Sequence, residues 1–548
     1  EKVVQWTNQF LTQSSRAQEA RNTQSPVWQD GFPASISLSA KKNALNGTAF
    51  DIQPLAAPGG GSYVSGDLHP ALSQLTARLK ALLQKALGSR MVSGFVLVAV
   101  LTVASKAVSF LKDAAVARQF GISDELDAFM FSFGLLTFVA ALIGGGLPEA
   151  FLPQFAEVTH QKDALSARRL AVQSSLVHAL SLMAVGLVIH LLAPSIVTWT
   201  TRGFSPEKQE LSSRLLRDLL PFMLSFGLSY QLGTWLRADK QFLAATAAPM
   251  LVPLAILGWL VAGRTQPDVQ LLVSGTVAGA LLHLLVLILV LWRKEALSVG
   301  FVARCLRGPE PELKKVVQNS LPFLFAGGIF SSAVVVDQTM ASWLEAGSVT
   351  VLSYTDKVCG IILAVTAGPS CDVLFPYFAD KVARRDWLGV RQQLFTSAAM
   401  ILSLALPAAL LLCALAPWVI WMLFERGSFT PEDTARVAAV LRFAALQIPF
   451  YIIGSLASRV VVAMQATRFI MLLSTVGLVG NALLNWVLMR PLGTAGIALS
   501  TVIIQMISAL MACLYVLKQI RDRLAASKAM ATPRVQKTAA KKTSRRQK

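Results

Sequence analysis

Acidic residues are scarce in this chain of 548: 30 Asp and Glu stand against 50 Lys and Arg, and charged residues of every kind make up 15%. So thin a polar complement excludes a disordered chain and an ordinary soluble domain. Cysteine is scarce too. The five, at 305, 359, 371, 413 and 513, are scattered with no C-x-x-C pair, which argues against a zinc site or a disulfide framework. Histidine is nearly absent, with His178, His190 and His283 inside apolar stretches. There is no H-E-x-x-H, no glycine-rich phosphate loop and no nucleophile elbow, so ATP hydrolysis and the familiar hydrolase chemistries have no carrier. Nor does the start of the chain show the apolar core of a signal peptide.

What the chain has in quantity is apolar length. Hydrophobic residues make up 54%, and the mean hydropathy is +0.56. Long apolar runs of about 20 residues are what a bilayer-spanning helix needs. They predict spans near 92–112, 127–147, 172–194, 215–236, 245–263, 270–292, 320–343, 350–375, 394–422, 438–463, 469–489 and 493–517. Several contain proline, among them Pro221, Pro249, Pro253, Pro322, Pro407 and Pro449, as transporter helices that bend often do.

The net charge of +20 belongs to loops rather than to a nucleic-acid surface. Lys162, Arg168 and Arg169; Arg237 and Lys240; Arg293 to Lys315; Lys381 to Arg391; and Arg468 fall in alternate loops. The positive-inside rule places that set in the cytoplasm, and twelve spans then put both termini there. Residues 1–70 are polar and include Pro58-Gly59-Gly60-Gly61-Ser62, a flexible linker by composition. Over 71–90, leucines recur at helical spacing between Arg78, Lys80 and Lys85, which fits either a surface-lying amphipathic helix or a solvated pre-helix. Residues 293–319 link the halves. The basic tail 518–548 reads as disordered or as a contact for anionic lipid.

The halves repeat. Phe151-Leu-Pro-Gln-Phe-Ala-Glu157 returns as Phe375-Pro-Tyr-Phe-Ala-Asp380, and Arg202-Gly-Phe-Ser-Pro-Glu207 as Arg426-Gly-Ser-Phe-Thr-Pro-Glu432, both about 224 residues on. Six spans separate the copies, an even number, so the repeats are parallel. Two six-helix lobes (91–292 and 320–517) around a central cavity follow.

Charges inside the spans are the candidates for function, because burying them in a bilayer is costly. Lys106, Ser109 and Asp113 share a helix face, and Lys112 stands beside them. Lys112 and Asp113 also fit a plain membrane exit. Asp337 sits mid-span in the seventh, Asn481 and Asn485 lie one turn apart in the eleventh, and Thr501 is in the twelfth. Oxygen donors of this kind suit a hard cation such as Na⁺, or serve as interhelical hydrogen-bonding glue.

The stretch Ser105-Lys106…Ser109…Lys112-Asp113…Ala117…Phe120-Gly121, followed by Asp127-Ala128-Phe129, resembles the opening motif of the MurJ/MviN lipid II flippases of the MOP superfamily. Here two family arginines are lysines and a glycine is Ser109. Tyr354-Thr355-Asp356-Lys357 is similar to the family's Y-A-D-R, again with lysine for arginine. The resemblance covers roughly 91–520. It implies an all-α polytopic protein that moves an undecaprenyl-diphosphate-linked saccharide, lipid II or a related glycan, across the bacterial inner membrane by alternating access. It implies a substrate site at Lys106, Lys112, Asp113, Asp127, Asp356 and Lys357, where lysines would hold the diphosphate as point charges. An ion pair with Asp356 or another helix is the other use for Lys357. The resemblance further implies a Na⁺ site of Asp337, Asn481, Asn485, the Ile497 carbonyl and Thr501, with Asn485 in place of an aspartate.

Two departures stand out. The family's arginine pair in the second span is Val139-Ala140, followed by Gly144-Gly145-Gly146, and the two helices that usually follow the twelfth have no counterpart. The expected partners are the lipid-linked substrate and membrane lipids, with no nucleic acid, and the chain is expected to act as a monomer. The rival is a cation-coupled exporter of the MATE type, whose cavity should be acidic or apolar. A glycan polymerase or ligase would need a large external loop, and the longest here lie near 195–214 and 423–437.

Overall fold

The computed structural model describes residues 90–262, 268–293, 299–305, 308 and 310–544. The polar segment 1–70 and nearly all of the amphipathic stretch 71–90 lie outside them. The described residues form helices and no strands. In chain order these are α1 (Arg90–Phe120), α2 (Asp124–Gln161), α3 (Ala164–Thr200), α4 (Pro206–Asp218), α5 (Leu220–Ala238), α6 (Phe242–Ala247), α7 (Leu251–Ala262) and α8 (Val269–Arg293). A short α9 (Val299–Cys305) precedes α10 (Pro311–Ala341), α11 (Ser348–Ala383), α12 (Trp387–Ala414), α13 (Ala416–Phe424), α14 (Pro431–Ala444), α15 (Gln447–Ala463), α16 (Thr467–Leu492) and α17 (Thr494–Ser544). With α4–α5, α6–α7, α12–α13 and α14–α15 each read as one interrupted rod, and the short α9 set aside, twelve rods result among the described residues. Eight rods are long and apolar enough to cross a membrane by length and composition. The others are α1, α4–α5, α10 and α11, and α1, α10 and α11 carry all the charged candidates except Asp127, which is in α2.

The ends of these helices follow from local chemistry. Ser123 accepts from the Leu126 amide and Asp163 from Ser166, capping α2 and α3. The repeated S/T-P-E motif is a helix start: Ser205 caps α4, and Thr430 with Asp433 forms a capping box on α14, each with proline in the first turn. The element starts repeat at the same offset as the motifs. Asp124 against Ser348, Ala164 against Trp387 and Pro206 against Pro431 are 224, 223 and 225 residues apart.

Several boundaries differ from the sequence expectation. α2 runs on to Gln161 with Pro148 and Pro153 inside it, so Phe151 to Glu157 belongs to a helix. In a bundle, neighbouring helices can re-satisfy the backbone that proline frees. α10 begins at Pro311, within the expected linker, and α17 continues to Ser544, through the expected tail. α1 continues to Phe120, which places Lys112 and Asp113 inside a helix instead of at its exit.

One end of the bundle joins the lobes tightly. There the Ser428 amide donates to the Arg118 carbonyl at 2.8 Å, and Trp343 Nε1 to the Thr200 carbonyl at 2.8 Å. Beneath these bonds Tyr354, Phe424, Phe429 and Phe110 pack ring on ring. At the opposite end lie the basic turns. Gly146 of the glycine run brings α2 against α10: a Cβ there would overlap Leu324. Close packing through small residues is what holds helices together where lipid supplies no hydrophobic drive.

Candidate functional site

A cavity of about 350 Å³ lies between the lobes, lined by α1, α2, α7, α8, α10 and α11. Its wall is mostly apolar, with Phe129, Phe133 and Phe138 from α2. Its charged lining residues are Lys112, Asp356 and Lys357. Asp113 sits just behind them, nearly buried, and joins the two lobes: Lys112 Nζ is 2.6 Å and Lys357 Nζ 2.8 Å from the same oxygen, Oδ1. Neither contact is aligned as a good hydrogen bond. The lysines are held by charge, in an environment where charge acts strongly. Lys357 also lies 5.1 Å from the Tyr354 ring, at the base of the aromatic plug.

Of the six expected substrate residues, four therefore meet: Lys112, Asp113, Asp356 and Lys357. Lys106 does not join them. It is exposed, makes no ion pair among the described residues, and lies outside the cavity wall. Six residues along a helix give a rise of about 9 Å and a turn that sets Lys106 on a different face of α1 from Lys112. Asp127 also goes elsewhere. Its Oδ2 accepts from the Gly347 amide at 2.6 Å and its Oδ1 from the Thr350 amide at 2.8 Å. The carboxylate thus caps α11 across the lobe boundary at the sealed end. Lys208 completes the group, 2.9 Å from Asp127 and 2.6 Å from Asp124, over the Phe204 ring at 4.2 Å. Reading of the sequence missed Lys208, although it lies one residue past a repeated S-P-E motif. Val139 is half-buried and Ala140 buried, so α2 supplies no cation to the cavity.

The second expected cluster also assembles. Asn481 Nδ2 and Asn485 Nδ2 both donate to Asp337 Oδ1 at 2.6 Å, joining α10 to α16. Thr501 Oγ1 donates to the Ile497 carbonyl at 3.2 Å. Ser500, buried and absent from the sequence expectation, donates among Asn481 Oδ1 at 3.3 Å, the Ile497 carbonyl at 2.9 Å and Asn485 Oδ1. One carboxylate among neutral amide, hydroxyl and carbonyl oxygens fits a monovalent hard cation better than a divalent or a soft metal.

At the basic end, the start of α10 is clasped to the first lobe. Lys162 reaches Glu312 at 3.1 Å, Arg169 reaches Glu310 at 3.2 Å, and Gln173 donates to the Cys305 and Gly308 carbonyls at 2.7 Å. The hydrogen bond from Lys162 lowers the Glu312 pKa, and the same bond raises that of Lys162.

The family model described as "Lipid II flippase MurJ" matches residues 116–541. It begins three residues after Asp113 and takes in the α11 and Asp337 clusters. A protein of Rhizobium tropici named "Probable lipid II flippase MurJ" is 26% identical over 422 residues, 75% of this chain and 78% of that one. The "Lipid II flippase MurJ" of Burkholderia cenocepacia is 24% identical, covering 75% and 79%. Among solved structures, "Lipid II flippase MurJ, inward closed conformation" superposes with a TM-score of 0.66 at 20% identity, covering 79% of this chain and 91% of that one. An inward-facing multidrug resistance MATE transporter of the MOP superfamily gives 0.67 at 17%, covering 77% and 96%. The fold is thus common to both groups, and the sequence separates them: the chain belongs to the lipid II flippase MurJ family.

Proposed function

We propose that this protein is a multi-pass transporter of the bacterial inner membrane that flips lipid II, or a closely related diphosphate-linked saccharide, by alternating access. The observation that carries the reading is the Lys112–Asp113–Lys357 cluster, which sets two ammonium groups from opposite lobes at one cavity wall. A diphosphate can replace Asp113 as their counter-charge, bridging α1 and α11 and drawing the lobes together. Asp113 meanwhile keeps the empty cavity from holding two uncompensated charges. A MATE-type exporter of organic cations would gain nothing from such a wall.

The basic turns lie in the cytoplasm, with both termini, so the sealed end faces outward. The state is inward-facing. The outer seal is Asp127 on the α11 amides over the aromatic plug. Asp337, Asn481, Asn485, Ile497 and Thr501 would hold Na⁺ where α10 meets α16 and α17; when bound it supplies positive charge that biases one packing of α10. The membrane potential adds about 2.3 kcal/mol per charge per 100 mV. The protein acts as a monomer, with membrane lipids and the lipid-linked substrate as its partners.

The test is complementation of cells depleted of their own lipid II flippase. Rescue of growth is expected, with no change in resistance across a panel of cationic drugs. Failure of a well-inserted protein to rescue, with export of a cationic drug, would overturn the reading.

A further inference from the structure

A second cavity, of about 420 Å³, lies at the edge of the first lobe, between the end of α3 at Pro194 and Thr198 and one side of α4. Its charged lining residues are Arg214 and Arg217 with Glu210 and Asp218, two of each sign. α4 divides its faces: Lys208, Ser212 and Leu215 are buried, whereas Glu210, Arg214 and Arg217 are exposed on the other side. The groove therefore backs the helix that holds Lys208 to Asp127. Its depth follows from α3. Arg168 and Arg169 stand at the cytoplasmic start of that helix, and about 20 residues cross the hydrocarbon, which brings α3 out near His190. Beyond that point the exposed Trp199 is the kind of aromatic found at a membrane interface. Arg217 Nε donates to the His190 carbonyl at 3.2 Å and fixes the groove at headgroup level. Next to it on the hydrocarbon side, Leu187, Val188 and Leu191 are exposed, a surface for acyl chains.

We propose that this groove binds the headgroup of a phosphatidylethanolamine. The phosphate lies on Arg214 and on the terminal nitrogens of Arg217, since a guanidinium has five donors and Arg217 uses only Nε. Arg214 is free to turn toward it, because its contact with Glu210 is 3.6 Å long between two well-exposed side chains, a weak pair. The ammonium lies on Glu210 and on Asp218, which has no ion-pair partner among the described residues. Two charges of each sign fit a zwitterion. An anionic headgroup would leave both carboxylates facing it without a cation, and a choline headgroup has no N–H to donate to them. Assignment to the outer leaflet rests on the orientation proposed above; the binding itself does not.

The test is the thermal midpoint of the purified full-length protein in detergent, titrated with palmitoyl-oleoyl lipids bearing ethanolamine, glycerol or choline headgroups, or with inorganic phosphate. The ethanolamine lipid should raise the midpoint, and the other three should need at least about tenfold more for the same rise, a difference of about 1.4 kcal/mol. The double variant Arg214→Gln with Arg217→Gln should lose that preference. Glu210→Gln with Asp218→Asn should take the glycerol lipid as readily as the ethanolamine lipid. Equal responses of the parent to those two lipids, or a full response to phosphate alone, would overturn the proposal. So would a headgroup preference that survives in both double variants, even if their midpoints fall, because the arginines would then be structural and the lipid bound elsewhere. No arm uses the lipid-linked substrate, so failure here leaves the flippase reading untouched, and failure of complementation leaves the groove untouched.

Discussion

Lys112 and Lys357 are few in atoms and large in consequence, because each brings a charge to a cavity with little water to screen it. Lys112→Ala or Lys357→Ala should lower flippase-dependent growth or in vitro translocation by at least about tenfold, the effect of losing roughly 1.4 kcal/mol of diphosphate binding. Lys357→Arg should retain activity, since the charge survives. Lys106→Ala should be mild by the same assay, because that side chain lies outside the cavity wall. Asp127→Ala is a different case. It leaves Lys208 buried with Asp124 as its remaining carboxylate and frees two α11 amides. Breaking a buried pair costs about 3–5 kcal/mol, and the surviving Asp124 contact puts this at the low end. The expected result is a lower thermal midpoint together with greater labelling of a cysteine placed at the sealed end. Unchanged labelling would separate Asp127 from the seal. The sequence pointed to Asp113 and Asp127 alike as charges near the first two spans. Their different fates depend on which backbone and side-chain donors lie across the lobe boundary, a fact about neighbours distant in sequence.

At the scale of elements, helix ends decide how the seal closes. Gly347 starts α11 with φ +85°, and a Cβ there would strike the Ile122 side chain. A side chain is disfavoured at that φ and has no room. Gly347→Ala should therefore weaken the outer seal and lower the midpoint by several degrees, as measured by melting and by accessibility at residue 122 substituted with cysteine. At the other end, the α10 clasp carries a pH signature. Glu312 is lowered, so its contribution is present above the ordinary carboxylate pKa and is lost as pH falls through its folded value. Lys162 is raised, so its contribution is present below the ordinary lysine pKa and lost as pH rises through its folded value. Hydrogen exchange at the first turn of α10 should be flat from about pH 5 to pH 10 once intrinsic rates are removed, and should quicken on either side. Salt should reduce the effect, because both groups are solvated. Most element positions were legible in the sequence as apolar runs and S/T-P-E starts. Their ends at Gln161 and Ser544 were not, because the apolar runs stop near 147 and 517 while the helical backbone continues past both.

At the scale of the molecule, the parallel repeat was written in the chain as two motifs at one offset, and the bundle keeps that offset in its helix starts. The all-helical membrane class, the two lobes and the family follow from apolar length, from the repeat and from the motif stretches, all of them properties of residues near one another in the chain. Tertiary structure alone decided which lobe face is sealed, that Lys112 and Lys357 share one oxygen of Asp113, that Lys106 stands apart, and that Ser500 occupies the centre of the Asp337 cluster. Each of these depends on distances between helices that pack from opposite repeats or from distant parts of one. Helical periodicity says which face a side chain takes, but only the packed bundle says what that face meets.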